Sequence, residues 1–475
     1  MPFSDAKILI IGAGMAGVAA GKKLYDSGYT NFQIIEATDR IGGRVRNVPL
    51  GKSQVEIGAM WIYGKGSNPV YTLAQKYNLS FTEEFLDEWT VINDKGEDVT
   101  DAADEAYELL EEKFESYTEF GADARAMDKN DFSLRAGMRH MGWNPQTAVE
   151  DAVDAYLIDF ESGIDPVACS GKYYNANLIF ADFGDSNYLI VNDPAGFSKI
   201  IKRLAAPMKD KKDRFIFNKK VTEIQYYDDG VSVNTTDGTV YNADYALVTV
   251  SLGVLQQRLI KFTPPLPEWK LLVIDEFGIA EFSHIYVKYN TSFWDNTMYV
   301  LYTTKLRGQL SIWLNMNTIL PGSNILQVSL FDQFSRWADL SSDAEILEEI
   351  TNTFKKMYPA KTIPSPVAHK ISRWNSDPLY RGAFSYWPPG FTTADMEQLG
   401  QNVGRVYFAG EHTHPLHFGF VHGAFMTGES TAEELMSCIN DTLTCDLGYL
   451  GDSASSMTFI NMWGLTFISL IIGLV

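Results

Sequence analysis

The chain runs to 475 residues, with 45% apolar side chains and a formal net charge of −21. That length exceeds what one compact core organises well, so two closely connected domains are expected. The acidic balance argues strongly against a nucleic-acid-binding role, which requires a basic face; it is compatible with attraction of a cationic substrate into a focused cleft, though charge alone favours plain solubility.

A strand-like run, Ile8-Leu9-Ile10-Ile11, enters Gly12-Ala13-Gly14-Met15-Ala16-Gly17, with a helix predicted over residues 15–27 and a second apolar strand over 32–35 ending at Glu36. Each part has its own mechanical job. Gly12 permits the tight turn, Gly14 lets backbone approach a pyrophosphate, and Gly17 lets the helix pack closely on the sheet. The helix start at Met15 and Ala16 offers unpaired N–H groups and a positive dipole end to phosphates. Glu36 is placed to accept hydrogen bonds from ribose hydroxyls. The alternative is a glycine-rich turn in some other α/β unit.

Helical spacing then predicts helices over 101–118 and 133–157, with turns at 182–185 and 193–196 and a helix over 197–208. Short strands are predicted at 215–217, 221–227, 231–235 and 246–250, and β structure again at 283–289, 298–303, 309–314 and 325–330. Helices follow over 344–357 and 425–436. Cys169, Cys438 and Cys445 give neither zinc spacing nor a disulfide framework; the last two either form a local bridge in an oxidising compartment or remain free. No metal site is expected.

Residues 457–475 carry no charge and are just long enough, as a helix, to cross a bilayer core. A tail anchor and a GPI-attachment signal compete for this segment. With only seven residues before the first strand no N-terminal signal peptide is expected, which tells against the GPI route, whereas sequons at Asn78, Asn234, Asn290 and Asn440 fit a secreted history. Membrane attachment or an extracellular location is favoured, and a cytoplasmic one stays open.

The nature of the dinucleotide is decided downstream. Gly42-Gly43-Arg44 follows the ribose acid directly. A plain nicotinamide domain has no need of it, whereas FAD proteins of the glutathione-reductase and amine-oxidase type carry such a pair, with the arginine supplying fixed positive charge. Gly58-Ala59-Met60-Trp61 resembles the segment that passes beside the isoalloxazine in the amine oxidases. Far along the chain, a strand ends in Gly410-Glu411-His412, and Phe418-Gly419-Phe420-Val421 leads into the last helix. These distant segments must close on one cofactor, so the two ends of the chain form one domain.

Together with Ser251-Leu252-Gly253-Val254, Arg373-Trp374 and Phe384-Ser385, these motifs resemble the flavin-containing polyamine oxidases of the flavin monoamine oxidase family, most of all the plant apoplastic type. The resemblance implies an α/β protein: a Rossmann-like FAD-binding domain of glutathione-reductase type joined to an α+β substrate-binding domain, the amine-oxidase fold. The FAD domain is expected over 1–80, 185–262 and 371–445, the substrate domain over 81–184 and 263–370, and a tail over 446–475. FAD is the implied cofactor, with further contacts from Val221 beside the adenine, Trp374, Glu411 near the ribityl–phosphate region, and the helix start at Val421 facing the flavin's N1/O2 edge.

The implied reaction takes a hydride equivalent from the carbon next to an amine nitrogen; the imine hydrolyses to aldehyde and amine, and O2 is reduced to hydrogen peroxide. The substrate is expected to be a small cationic amine. Glu161 corresponds to a tunnel acid of the family, or else is a solvated loop carboxylate, and the family's second tunnel acid is Tyr63 here. Phe384 and Phe420 are the expected aromatic walls. His284 stands where the family places a lysine that holds a water near the flavin; as a histidine it is expected to titrate near neutrality. A flavin oxidase of another amine or of an amino acid, or a flavin-binding protein with weak turnover, are the alternatives.

Overall fold

The computed structural model describes residues 6–174, 183–184 and 188–440. The expected tail, Cys445 and both ends of the 182–185 turn lie outside the described residues. Among those that are described, no helix is long and apolar enough to cross a membrane.

Strand Ile8–Ile11 lies at the centre of a five-stranded sheet, parallel to Phe32–Ile35 on one side and Tyr245–Val248 on the other. Phe215–Ile216 and Val406–Phe408 form its edges, again in parallel pairs. The unbroken apolar runs are explained by this position, since the central strands are covered on both faces. Helix Met15–Asp26 covers one face and packs along Val421–Asn440 from the other end of the chain. Gly428 makes that packing close: a Cβ there would sit 2.2 Å from the Ala16 carbonyl oxygen.

A six-stranded sheet follows the order Ala368–Ile371, Phe282–Lys288, Ile325–Phe331, Ile312–Asn315, Tyr299–Tyr302, Trp89–Ile92. Its pairs are antiparallel except the last, which is parallel. Residues in Phe282–Lys288 alternate between faces. Ile285 and Val287 pack with Ile350 and Phe354 of helix Asp343–Met357. Phe282 and Tyr286 face the opposite way, with Tyr156 and Tyr299, and His284 shares their parity. A smaller sheet joins Trp61–Tyr63, Tyr188–Val191 and Phe81–Glu83. In it Tyr63 is opposite Tyr188, whose carbonyl accepts a 2.9 Å hydrogen bond from the Glu84 N–H, so residues 63, 188 and 84 form one row.

The last helix, expected over 425–436, extends over Val421–Asn440, and two others differ from expectation. The helix expected over 101–118 extends over Thr100–Ala126, because Tyr117, Gly121 and Ala124 continue its buried stripe. That expected over 133–157 is divided into Leu134–His140 and Ala148–Asp154, broken where Gly142 takes φ +91° and Pro145 follows. Thr147 and Glu150 restart it with a reciprocal capping box. A wide π-type turn, Ala155–Asp159, then delivers the short helix Phe160–Ser162. The turn is anchored from behind: Arg307 donates to Asp154 and, in a fork, to both oxygens of Asp159, while Arg135 and Trp143 also bind Asp154.

Candidate active site

One cavity joins the two sheets, and every candidate residue from the sequence lines it except Gly17. Gly17 does packing work instead, since a Cβ there would lie 2.0 Å from the Gly12 carbonyl oxygen. Gly12 adopts φ +109°, as the sharp exit from the strand requires. Gly14 differs, because a Cβ there would meet nothing within 4 Å. Gly43 lies against it, its own Cβ position 3.2 Å from the Gly14 Cα, so the two glycine turns adjoin at an open cradle beside the first helix start. Glu36 is pre-oriented at the rim by the Ala13 N–H, the Thr38 N–H and the Thr38 hydroxyl, each at 2.8 Å. This open backbone cradle next to a fixed carboxylate fits a dinucleotide's pyrophosphate and ribose.

Further in, the residues lining the cavity are locked together. The Trp374 indole N–H donates to the Ile57 carbonyl at 2.9 Å, and Arg44 donates to the Ala383 carbonyl at 2.8 Å. Arg44 also pairs with Glu411 at 2.8 Å. The other Glu411 oxygen accepts from the Gly419 N–H at 2.8 Å and from the Ser385 N–H and hydroxyl. Burial alone would raise the Glu411 pKa, but the Arg44 charge and these donors hold it below its ordinary value. Glu411 therefore clasps three segments of the protein, and Val421 begins the last helix two residues beyond Gly419.

At the far end His284 is 4% exposed, edge-on to Trp61 and Phe282. Its Nδ1 lies 3.3 Å from the Glu56 carbonyl oxygen, which also accepts from the Tyr286 hydroxyl at 2.6 Å. A carbonyl can only accept, so Nδ1 carries the proton and Nε2 is left as an acceptor. Burial pushes the His284 pKa down to about 4, against which the carbonyl bond acts only partly. The expectation of titration near neutrality is thus corrected: the ring is neutral across the physiological range because burial disfavours its charged form. Lys288, two positions of the same parity along, is occupied with the Ser323 carbonyl.

Phe384 packs against Phe282 with ring centres 5.6 Å apart, and Phe420 lies edge-on to Tyr63 at 4.9 Å. Glu161, on the short helix after the π turn, lines the cavity; burial raises its pKa to about 8, helped by the charge of Glu84. It is not a solvated loop carboxylate. Glu84 is the residue the sequence did not mark. It is 8% exposed, lines the same cavity and accepts on Oε1 from the Trp61 indole at 3.2 Å and from the Tyr299 hydroxyl. Burial raises its pKa to about 7, the two donors opposing the shift. No local pattern distinguishes Glu84 from its neighbour Glu83; only the insertion of a strand from over 100 residues further along, between Trp61–Tyr63 and Phe81–Glu83, sets it in one row with Tyr63.

The family model for flavin containing amine oxidoreductases matches residues 15–436. Polyamine oxidase 1 of Zea mays is 34% identical over 453 residues, covering 91% of this chain and 90% of that protein. Polyamine oxidase 7 of Oryza sativa subsp. japonica is 35% identical over 445 residues, covering 89% and 93%. Lysine-specific histone demethylase 2 of Homo sapiens is 25% identical over 456 residues, covering 91% of this chain but 54% of its own length. With a cradle that fits its cofactor and likeness along nearly the whole chain, this protein belongs to the flavin containing amine oxidoreductases, as an FAD-dependent amine oxidase.

Proposed function

We propose that this oxidase acts on a polyamine of the spermine or spermidine type, breaking one C–N bond to give an aldehyde, an amine and hydrogen peroxide. The observation that carries this reading is the pairing, in one aromatic-walled cavity, of a dinucleotide cradle with two buried carboxylates. The names of the plant relatives support it. In the same reading the parallel sheet is a Rossmann-like FAD domain of glutathione-reductase type, and the six-stranded sheet with its helices is the substrate domain, divided as the sequence suggests.

Bound FAD supplies the hydride acceptor and the link to O2. The protein supplies position and electrostatics. Glu36 and the glycine turns hold the dinucleotide end, and Arg44, clasped by Glu411, holds charge beside it. Phe384 and Phe420 flank the amine's carbon chain and exclude water. His284 offers Nε2 as an acceptor to a water, which positions that water for imine hydrolysis without a fixed positive charge.

An amino-acid substrate is disfavoured by a specific feature. Among the described residues lining the cavity, Arg44 is the sole arginine, and it is paired with Glu411, leaving no guanidinium for a substrate carboxylate. Peroxide release measured against spermine, spermidine, N-acetylated polyamines, monoamines and amino acids tests the proposal. The highest kcat/KM is expected for a polyamine; an amino acid or a simple monoamine in that place overturns it, and no peroxide with any amine points to a weak-turnover flavin protein.

A further inference from the structure

We propose that Glu84 takes over from the acid absent at Tyr63 and forms, with Glu161, a two-carboxylate subsite for the distal ammonium group of the substrate. This rests on the amine-oxidase reading above and adds where the second charge is held.

Three observations carry it. The first is placement. Residues 63, 188 and 84 form one cross-strand row, so an acid at 84 lies two strands from position 63 on the same sheet. The second is unmet bonding. Among the described residues, neither Glu84 Oε2 nor Glu161 Oε2 has a hydrogen-bond partner, although both atoms are buried. An orphaned buried carboxylate oxygen is costly, and a pair of them lining one cavity asks for a cationic donor. The third is the absence of an internal counter-charge. Among the described residues, the titratable groups that feel the charge of the pair are Tyr63, Tyr156, Tyr174, Tyr188 and Tyr299. Burial drives all five phenols well above their ordinary range, so they are neutral. His284, also on the cavity wall, is neutral too, and among the described residues no lysine or arginine contributes to the charge balance of either glutamate.

A purely structural role for Glu84 would leave both its oxygens satisfied, yet the Trp61 and Tyr299 donors converge on Oε1 alone. They orient the carboxylate and leave the other oxygen for a ligand. Before a cation enters, the two acids repel one another in a dry site and retain a proton. A distal ammonium favours the doubly ionised pair, so its binding expels that proton.

The test uses the FAD-loaded enzyme, titrated without oxygen and followed by the flavin absorbance. The probes are 1,8-diaminooctane, which has a distal ammonium, and octylamine, which lacks one. Glu84→Gln is expected to weaken diamine binding about tenfold to hundredfold, the loss of one charge-assisted contact, while octylamine binding stays as in the wild type. Calorimetry in buffers of different ionisation enthalpy is expected to show proton release from the wild type between about pH 6 and 8 on binding the diamine and not octylamine. Unchanged diamine affinity, equal weakening for both amines, or diamine binding without proton release overturns the subsite. The calorimetric arm needs no variant, so it decides the matter even if Glu84→Gln does not fold. A wild type that binds neither amine instead sinks the amine-oxidase substrate reading itself, which separates the two failures.

Discussion

Arg44 Nη1 lies 2.8 Å from Glu411 Oε1, joining residues 367 positions apart in the chain. In the proposed reading this contact closes the two halves of the cofactor site on each other. Replacing Glu411 with alanine leaves Arg44 and the Gly419 N–H without their partner in a buried place, which costs about 3–5 kcal/mol. We expect Glu411→Ala to melt at lower temperature and to lose FAD on gel filtration, with Glu411→Gln intermediate because it still accepts from Gly419. The sign with pH follows from a depressed carboxylate: its contribution is present above the ordinary glutamate value of 4.5 and is lost on acidification through the lower folded value. A variant that retains FAD like the wild type would show that the clasp is dispensable.

The glycine turns beside this clasp are legible in the sequence, and the reason is physical. Gly12, Gly14, Gly17 and Glu36 serve a backbone geometry that few residue types satisfy, so their spacing carries meaning. The Gly42-Gly43-Arg44 extension is legible for the same reason. Glu84 was not, because its meaning arises from strand register. The neutrality of His284 was equally hidden, since it comes from packing by Trp61, Phe282 and Tyr286 rather than from its own identity. The helix over residues 133–157 was misjudged where Gly142 and Pro145 were outweighed by an apolar stripe that continues on both sides of them.

His284, neutral above about pH 4, gives the reaction of the reduced enzyme with O2 no step in rate between about pH 5.5 and 8. Stopped-flow measurement across that range checks this; a sigmoid centred near 6.5 would contradict it. Introducing a cation with His284→Lys should speed the same reaction about tenfold, since preorganised positive charge stabilises developing negative charge strongly in a dry site. An unchanged or slower rate in the variant refutes the role assigned to this position.

Glu56 is 5% exposed, accepts from the Phe197 N–H at 2.6 Å on one oxygen, and has its pKa raised by burial to about 8. Between its ordinary value of 4.5 and about 8 the folded state holds a proton that the unfolded chain has released. Stability from this group therefore falls as pH rises through that window. Glu56→Gln keeps the acceptor and removes the ionisation, so its melting temperature should match the wild type near pH 5 and exceed it near pH 9, by an amount equivalent to a few kcal/mol. Thermal melts at the two pH values check this, and a gap of the same size at both would reject it.

Arg307 binds Asp154 and Asp159 behind the π turn that carries the chain into Phe160–Ser162, and so fixes the base from which Glu161 enters the cavity. Removing the guanidinium strands the buried Asp159 carboxylate, while Asp154 keeps Arg135 and Trp143. Arg307→Ala should cost about 3–5 kcal/mol of stability, and it should also raise KM for a polyamine, because Glu161 loses its fixed base while the flavin end is untouched. Arg307→Lys keeps a charge but cannot fork across both oxygens of Asp159, and should recover only part of either loss. The decisive comparison is KM against kcat in a variant that still binds FAD. A raised KM with kcat nearly unchanged is the signature of displaced substrate binding; a fall in kcat alone would mean that the ion network supports the chemistry by some route other than Glu161.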